Sequence, residues 1–154
     1  MYKLSTLLAF VAFSSFAPMR LIPKEQNVCE ALQQIVAVMK KDKYNELRSN
    51  EKVKEGYAST IDIAQWEQET VNEEYGVVNF SAICKAKSAA AAKASYDGFV
   101  KSIAKCMKAK PVYIKRDNTE GATFEVLTET VTINIDITAN YSGNESWIDL
   151  TVMK

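Results

Sequence analysis

Residues 131–138 read VTINIDIT, and this alternation decides the fold class of the chain. Val131, Ile133, Ile135 and Ile137 share one side of an extended segment, while polar residues occupy the other. Successive side chains of a strand point to opposite faces of its sheet. The pattern therefore predicts a strand of an antiparallel sheet with one buried and one solvated face.

Further β segments lie on both sides of this strand. Towards the C-terminus, residues 147–152 alternate in the same way, with Ile148, Leu150 and Val152 predicted to face inward. Towards the N-terminus, Val112–Arg116 and Ala122–Leu127 flank residues 117–121, which read DNTEG, a composition typical of a hairpin turn. The C-terminal part of the chain is therefore predicted to be β.

The segment before Pro111 predicts an amphipathic helix. Ser88 is suited to cap its first turn, the run Ala89–Ala92 has the highest helix propensity, and Pro111 stops it. At 100° per residue one stripe is apolar and consists of Ala92, Tyr96, Phe99, Val100, Ile103 and Met107. The opposite stripe is basic and consists of Lys87, Lys101, Lys105 and Lys108. One face of this helix is therefore expected to pack and the other to face water.

The first half of the chain predicts one helix and two strands. The helix is expected from Pro23 to Lys41, followed by a frayed end and loop over Lys40–Glu55. Tyr57–Ala64 alternates as a strand, and the acidic segment Gln65–Glu74 is expected to be its loop. Both sides of the next strand, Gly76–Cys84, carry apolar residues, so we expect it to be central in the sheet.

Together these elements predict an α+β fold. Two helices are expected on one face of an antiparallel sheet of about five strands, in the order α-β-β-α-β-β-β. The two halves have a similar order of elements, which suggests a repeat, although no matching residues support a duplication. The length suits one domain, residues 18–154, with a core of ordinary size.

The segment 1–17 is typical of a secretory signal peptide. Lys3 precedes an apolar run that is shorter than the ~20 residues of a membrane-spanning helix, and small residues near Ser15 and Ala17 offer a cleavage site. The sequence therefore predicts export to a periplasmic or extracellular compartment. Two alternatives are an uncleaved membrane anchor and a buried N-terminal element of a cytosolic protein.

Composition excludes several classes of function. Lys and Arg total 19 against 19 Asp and Glu, which gives no electrostatic footprint for nucleic acid. The chain has no histidine, so histidine-dependent nucleophilic catalysis and histidine-containing zinc sites are excluded. The three cysteines form no Cys-x-x-Cys pair. We therefore expect no metal, no cofactor and no catalytic site.

The cysteines do suggest one covalent bond. Cys29 lies near the start of the first predicted helix and Cys106 near the end of the second. If the helices are adjacent and antiparallel, the two residues come within reach of each other, and a disulfide would suit an oxidising compartment. The alternative is that Cys29, Cys84 and Cys106 are all buried free thiols.

The preferred function is that of a small exported, non-catalytic binding or interaction domain. The basic stripe of the second helix is the strongest electrostatic feature and suits an acidic protein, an anionic polymer or a membrane surface. A solvated helix face accounts for the same pattern. Two other functions stay open: a hydrolase that uses carboxylates or Cys84, and a structural component of the cell envelope or surface. The ligand and the oligomeric state are not predicted.

Overall fold

The computed structural model describes residues 27–129, 131–141 and 145–154. The predicted signal peptide, residues 1–17, lies outside this part of the chain. The elements, in chain order, are α1 (Val28–Lys40), a 3₁₀ turn (Tyr44–Glu46), β1 (Arg48–Val53), β2 (Gly56–Ser59), β3 (Glu67–Glu74), β4 (Val77–Ala86), α2 (Ala89–Met107), β5 (Val112–Arg116), β6 (Thr119–Leu127), β7 (Thr132–Asn140) and β8 (Ser146–Met153).

The strands form one antiparallel sheet in the order β1-β2-β3-β4-β8-β7-β6-β5. Each half of the domain is a helix followed by four strands that pair in sequence, and the last strands of the two halves meet at the centre. There Ala82 lies opposite Leu150. The order of elements therefore repeats, α-β₄ followed by α-β₄.

The core lies between the two helices and one face of the sheet. The alternate residues Ile133, Ile135 and Ile137 of β7 are fully buried, as the VTINIDIT pattern predicts. α2 contacts β4, β6, β7 and β8, and it also packs against α1. Alternation in the sheet and the 3.6-residue period in the helices thus bring their apolar residues to one layer.

The α+β class and the two helices are confirmed, but the predicted strand number and the predicted order α-β-β-α-β-β-β are wrong: the described residues form eight strands, not about five, in the order α-β₄-α-β₄. Arg48–Val53, predicted as loop, is edge strand β1. Most of its side chains are exposed, so its sequence lacks the alternation of apolar and polar residues that predicts a strand. Glu67–Glu74, also predicted as loop, is β3, in which Val71 is buried. The predicted hairpin contributes two full strands, β5 and β6, joined at Asp117 and Asn118.

The predicted element boundaries agree with the structure only in part. The described helix α1 begins at Val28, where the side chain of Asn27 caps it by accepting a hydrogen bond from the backbone N–H of Glu30, and the predicted start at Pro23 lies outside the described residues. The strand predicted at Tyr57–Ala64 ends at Ser59, and Ile61 and Ile63 follow it as buried loop residues. The cap of α2 at Ser88 is confirmed, since its hydroxyl accepts from the N–H of Ala91.

Gly98 offers a test of the helix assignment. It is exposed in the middle of α2, and a Cβ built there would have nothing within 4 Å. Gly98→Ala should therefore raise the free energy of unfolding by about 1 kcal/mol, the difference in helix propensity between the two residues. Gly56 is the matched control, because its φ is +139° and a Cβ there would lie 2.5 Å from the carbonyl oxygen of Val71. In urea titrations Gly98→Ala should stabilise the protein and Gly56→Ala destabilise it; loss of stability in Gly98→Ala would contradict the helix assignment.

Candidate open-face binding trough

The second face of the sheet carries no helix of the described chain and is largely polar. Because β4 and β8 alternate, the residues between their buried positions point to this side. On β4 these are Asn79, Ser81, Ile83 and Lys85, and on β8 they are Trp147, Asp149, Thr151 and Met153. β7 adds Asn134, Asp136, Thr138 and Asn140. All except the exposed Lys85 are half-buried. We call this surface the open face.

Strand register arranges these side chains in rows across the sheet. Ser81 lies opposite Thr151, which lies opposite Asp136. Ile83 lies opposite Asp149, which lies opposite Thr138 in the same way. Neighbouring strands are about 4.8 Å apart, so the first row presents three hydroxyl or carboxylate groups at a regular spacing and the second presents two such groups beside Ile83. The open face is therefore an ordered array of hydrogen-bonding groups.

Part of the open face is concave. The tip of the β1–β2 hairpin, around Lys54 and Glu55, borders a cavity of about 770 Å³ whose walls include residues of β3, β4 and β8. A second cavity of about 430 Å³ continues from it towards Trp147, and the two share Gln68 and Ile83. We call the two cavities together the trough. Its two cavities are neighbours and both are open to solvent, as a site for an extended ligand would be.

Trp147 and Asp149 form the most distinctive pair in the trough. They are two residues apart on β8, so both side chains lie on the open face, and the indole Nε1–H donates to Asp149 Oδ2 at 2.9 Å. Among the described residues Asp149 has no ion pair, and burial raises its pKa above the ordinary value of 3.8. The hydrogen bond from Trp147 opposes that rise. Asp149 is therefore a half-buried acid with capacity for further hydrogen bonds.

The trough carries other charged groups. Burial also raises the pKa of Glu69, which borders the larger cavity and whose Oε1 accepts from the backbone N–H of Ile63. At the rim Lys85 pairs with Glu67 at 2.9 Å. The lining of the trough includes the acidic residues Glu55, Glu69, Glu145 and Asp149 and the basic residues Lys54 and Lys85. This excess of acidic residues disfavours an anionic ligand on this face.

The raised pKa of Asp149 predicts a pH dependence of stability. Because the folded state binds the proton more tightly than the unfolded chain, Asp149 lowers stability as pH rises above about 3.8. Asp149→Asn removes this penalty, and the asparagine side-chain oxygen can still accept the hydrogen bond from the indole N–H of Trp147. The free energy of unfolding of the variant relative to wild type should therefore increase between pH 3.5 and pH 7, values chosen to bracket the ordinary pKa of an aspartate. A difference that is the same at both pH values in urea titrations would contradict this assignment.

The structure places three of the four predicted basic residues, Lys101, Lys105 and Lys108, on the helical side of the molecule, whereas Lys87 follows the trough residue Ala86. Lys101, Lys105 and Lys108 lie within two turns of one another at the C-terminal end of α2, and all three are exposed. Lys87 precedes the helix at its other end, about 30 Å away for a helix of this length. In the described part of the chain none of the four forms a salt bridge. The structure thus brings three of the four lysines together.

The cysteines divide into a pair and a single residue. Cys29 and Cys106 lie next to each other where the start of α1 meets the end of α2, and both are half-buried free thiols. Cys84 lies on the core face of β4, and burial raises its pKa above the ordinary value. A thiol of this kind lacks the electropositive, accessible setting of a catalytic nucleophile.

Comparison of the chain with protein-family models and with curated proteins finds no match. No helix within the described residues has the length and apolar character needed to cross a membrane. In the same part of the chain, no three His, Cys, Asp or Glu residues are grouped so that they could hold a metal ion. The residues of the trough are therefore the basis for inferring what it binds. Sequence reasoning missed it, because its residues are the polar members of alternating strands.

Proposed function

We propose that this chain is a small exported, non-catalytic binding domain whose ligand lies in the trough on the open face. The hydrogen bond between Trp147, which lines the smaller cavity, and the half-buried Asp149, which lines the larger one, carries this proposal. Binding sites are concave surfaces with a few placed polar groups beside apolar and aromatic ones, and the trough has this composition.

The chemistry of the trough favours a neutral ligand rich in hydroxyl groups, such as an oligosaccharide. Asp149 and Glu69 accept hydrogen bonds, while Gln68 and Thr151 can both donate and accept them. Trp147 supplies a flat apolar surface beside polar groups. The acidic excess disfavours anionic polymers here, so the anionic partner predicted for the lysines of α2 would require the opposite side of the protein.

The first experiment is a titration of the ¹⁵N-labelled protein with a panel of neutral oligosaccharides, observed by NMR. Binding should shift the amide signals of β3, β4 and β8 along the trough and leave those of α2 unchanged. Heparin and anionic vesicles form the second arm. Shifts confined to Lys101, Lys105 and Lys108 in that arm, with none from neutral glycans, would overturn the trough as the site and favour the anionic partner.

A hydrolase is the second candidate, because one cavity contains two carboxyl groups whose pKa is raised by burial. Glycosidases use such a pair, with the carboxyl groups ~5–10 Å apart. Glu69 and Asp149 belong to β3 and β8, which are separated by β4, so their backbones are about 10 Å apart. Release of reducing ends from a bound oligosaccharide, lost in Asp149→Asn and in Glu69→Gln, would replace binding by hydrolysis as the function.

A structural role has one supporting observation. Edge strand β5 exposes Val112, Tyr113 and Ile114, and an exposed apolar edge is a place where chains associate. Sedimentation at increasing protein concentration tests this role. A monomer at every concentration would count against it. The proposed export is tested separately by mass spectrometry of the native protein in each cell fraction, which gives the mature N-terminus.

A further inference from the structure

The two helices are in contact at a pair of cysteines. Cys29 lies in the first turn of α1 and Cys106 in the last turn of α2. The Cys29 thiol donates to the carbonyl oxygen of Ser102 at 3.4 Å, and Ser102 lies one helical turn before Cys106. The Cys106 thiol donates to the carbonyl oxygen of Ile103 at 3.7 Å. Both sulfur atoms thus lie against the same turn of α2.

We infer that Cys29 and Cys106 form a disulfide that fastens the first half of the domain to the second. α1 belongs to the first α-β₄ half and α2 to the second, and the halves otherwise meet through the β4–β8 pairing and the shared core. The bond joins them on the helical side, so the two halves are linked in both layers. It does not depend on the ligand proposed for the trough.

The chemistry requires an external oxidant, and a small disulfide such as oxidised glutathione is sufficient. One protein thiolate attacks this disulfide, forming a mixed disulfide and releasing one glutathione thiol. The second protein thiolate then attacks the mixed disulfide, releasing the other glutathione thiol and closing the Cys29–Cys106 bond. The two protein thiols together lose two electrons and two protons, and the glutathione disulfide gains both.

The surroundings of the pair set the rate of this exchange. Burial and the neighbouring Cys29 thiol raise the pKa of Cys106 to about 12. Since the thiolate is the attacking species, little Cys106 thiolate is present near neutral pH. Bond formation should therefore be slow at neutral pH and faster in alkaline buffer. Cys84 lies on the sheet, and its thiol hydrogen-bonds only weakly, at 4.0 Å, to the carbonyl oxygen of Lys85.

The test begins with the full chain in its reduced state and follows its oxidation by glutathione disulfide. Thiols counted under denaturing conditions should fall from three to one per chain. The intact mass should decrease by two hydrogen atoms, and peptide mapping should join Cys29 to Cys106. Cys84→Ala is the matched control and should form the same bond, whereas Cys29→Ser and Cys106→Ser should not. Oxidation of the wild type should also raise its melting temperature, since the bond restricts the unfolded chain.

Three results would overturn the inference. One is a chain that keeps three reactive thiols under conditions that oxidise a control dithiol. Another is a bond that includes Cys84. The third is a Cys29→Ser variant that still loses two thiols. Because the wild type is mapped directly, the outcome does not depend on whether the serine variants fold.

Discussion

Phe80→Ala should lower the free energy of unfolding by about 3–5 kcal/mol, the range for truncating a buried phenylalanine. Phe80 is fully buried in β4 at the centre of the sheet. It lies opposite Val71 of β3 on one side and opposite Val152 of β8 on the other. The substitution removes a ring from the place where the two halves of the domain meet. Small domains are stable by only about 5–15 kcal/mol, so the loss is a large fraction of the total.

Val77→Ala is the control for this substitution, because Val77 starts the same strand but is 41% exposed. Surface substitutions usually change stability by less than about 0.5 kcal/mol. Urea titrations of the two variants should show a large shift of the midpoint for Phe80→Ala and a small one for Val77→Ala, with similar slopes. Equal shifts would mean that β4 is not the centre of the core.

Those parts of the fold that place a regular apolar stripe against the core could be predicted from the sequence. Strand β7 is an example, since Ile133, Ile135 and Ile137 alternate with polar residues and are all buried. Strand β3 has no such stripe, and its buried residue Val71 lies in a run of Glu, Gln, Thr and Asn. A left-handed Gln68 and a register shift between Glu67 and Thr70 disturb what alternation remains. An acidic strand of this kind is stabilised by pairing with the strands beside it in the sheet. The residue pattern within the strand does not reveal that pairing.

The cysteine pair and the trough also differ in how far the sequence could predict them. The Cys29–Cys106 pair was predicted because one assumption, that the helices are adjacent and antiparallel, brings the residues together, and the structure shows them side by side as free thiols. The trough depends on a non-local pairing. Asp149 and Ile83 are neighbours because β8 returns to the centre of the sheet beside β4. In the sequence Asp149 is only one polar residue of an alternating strand.

Trp147→Ala should weaken binding of a neutral oligosaccharide by about thirtyfold or more, if the ligand lies in the trough as proposed. A central tryptophan of a binding surface typically contributes 2 kcal/mol or more, and each 1.4 kcal/mol is about tenfold in affinity. Truncation removes the flat apolar surface and also the N–H that bonds to Asp149 at 2.9 Å. Titration calorimetry with the best oligosaccharide of the panel measures the change.

Two further variants separate the contributions to this effect. Trp147→Phe keeps an aromatic ring and removes the N–H, so it should bind more tightly than Trp147→Ala but less tightly than wild type. Tyr113→Ala is the matched control, because Tyr113 is an exposed aromatic residue on edge strand β5, away from the trough. Its affinity should equal that of the wild type. Circular dichroism shows whether Trp147→Ala is folded. If the folded Trp147→Ala variant binds as tightly as the wild type, and the double variant Lys101→Glu, Lys105→Glu does not bind, the trough is the wrong site. The ligand would then lie on α2, on the opposite side of the domain.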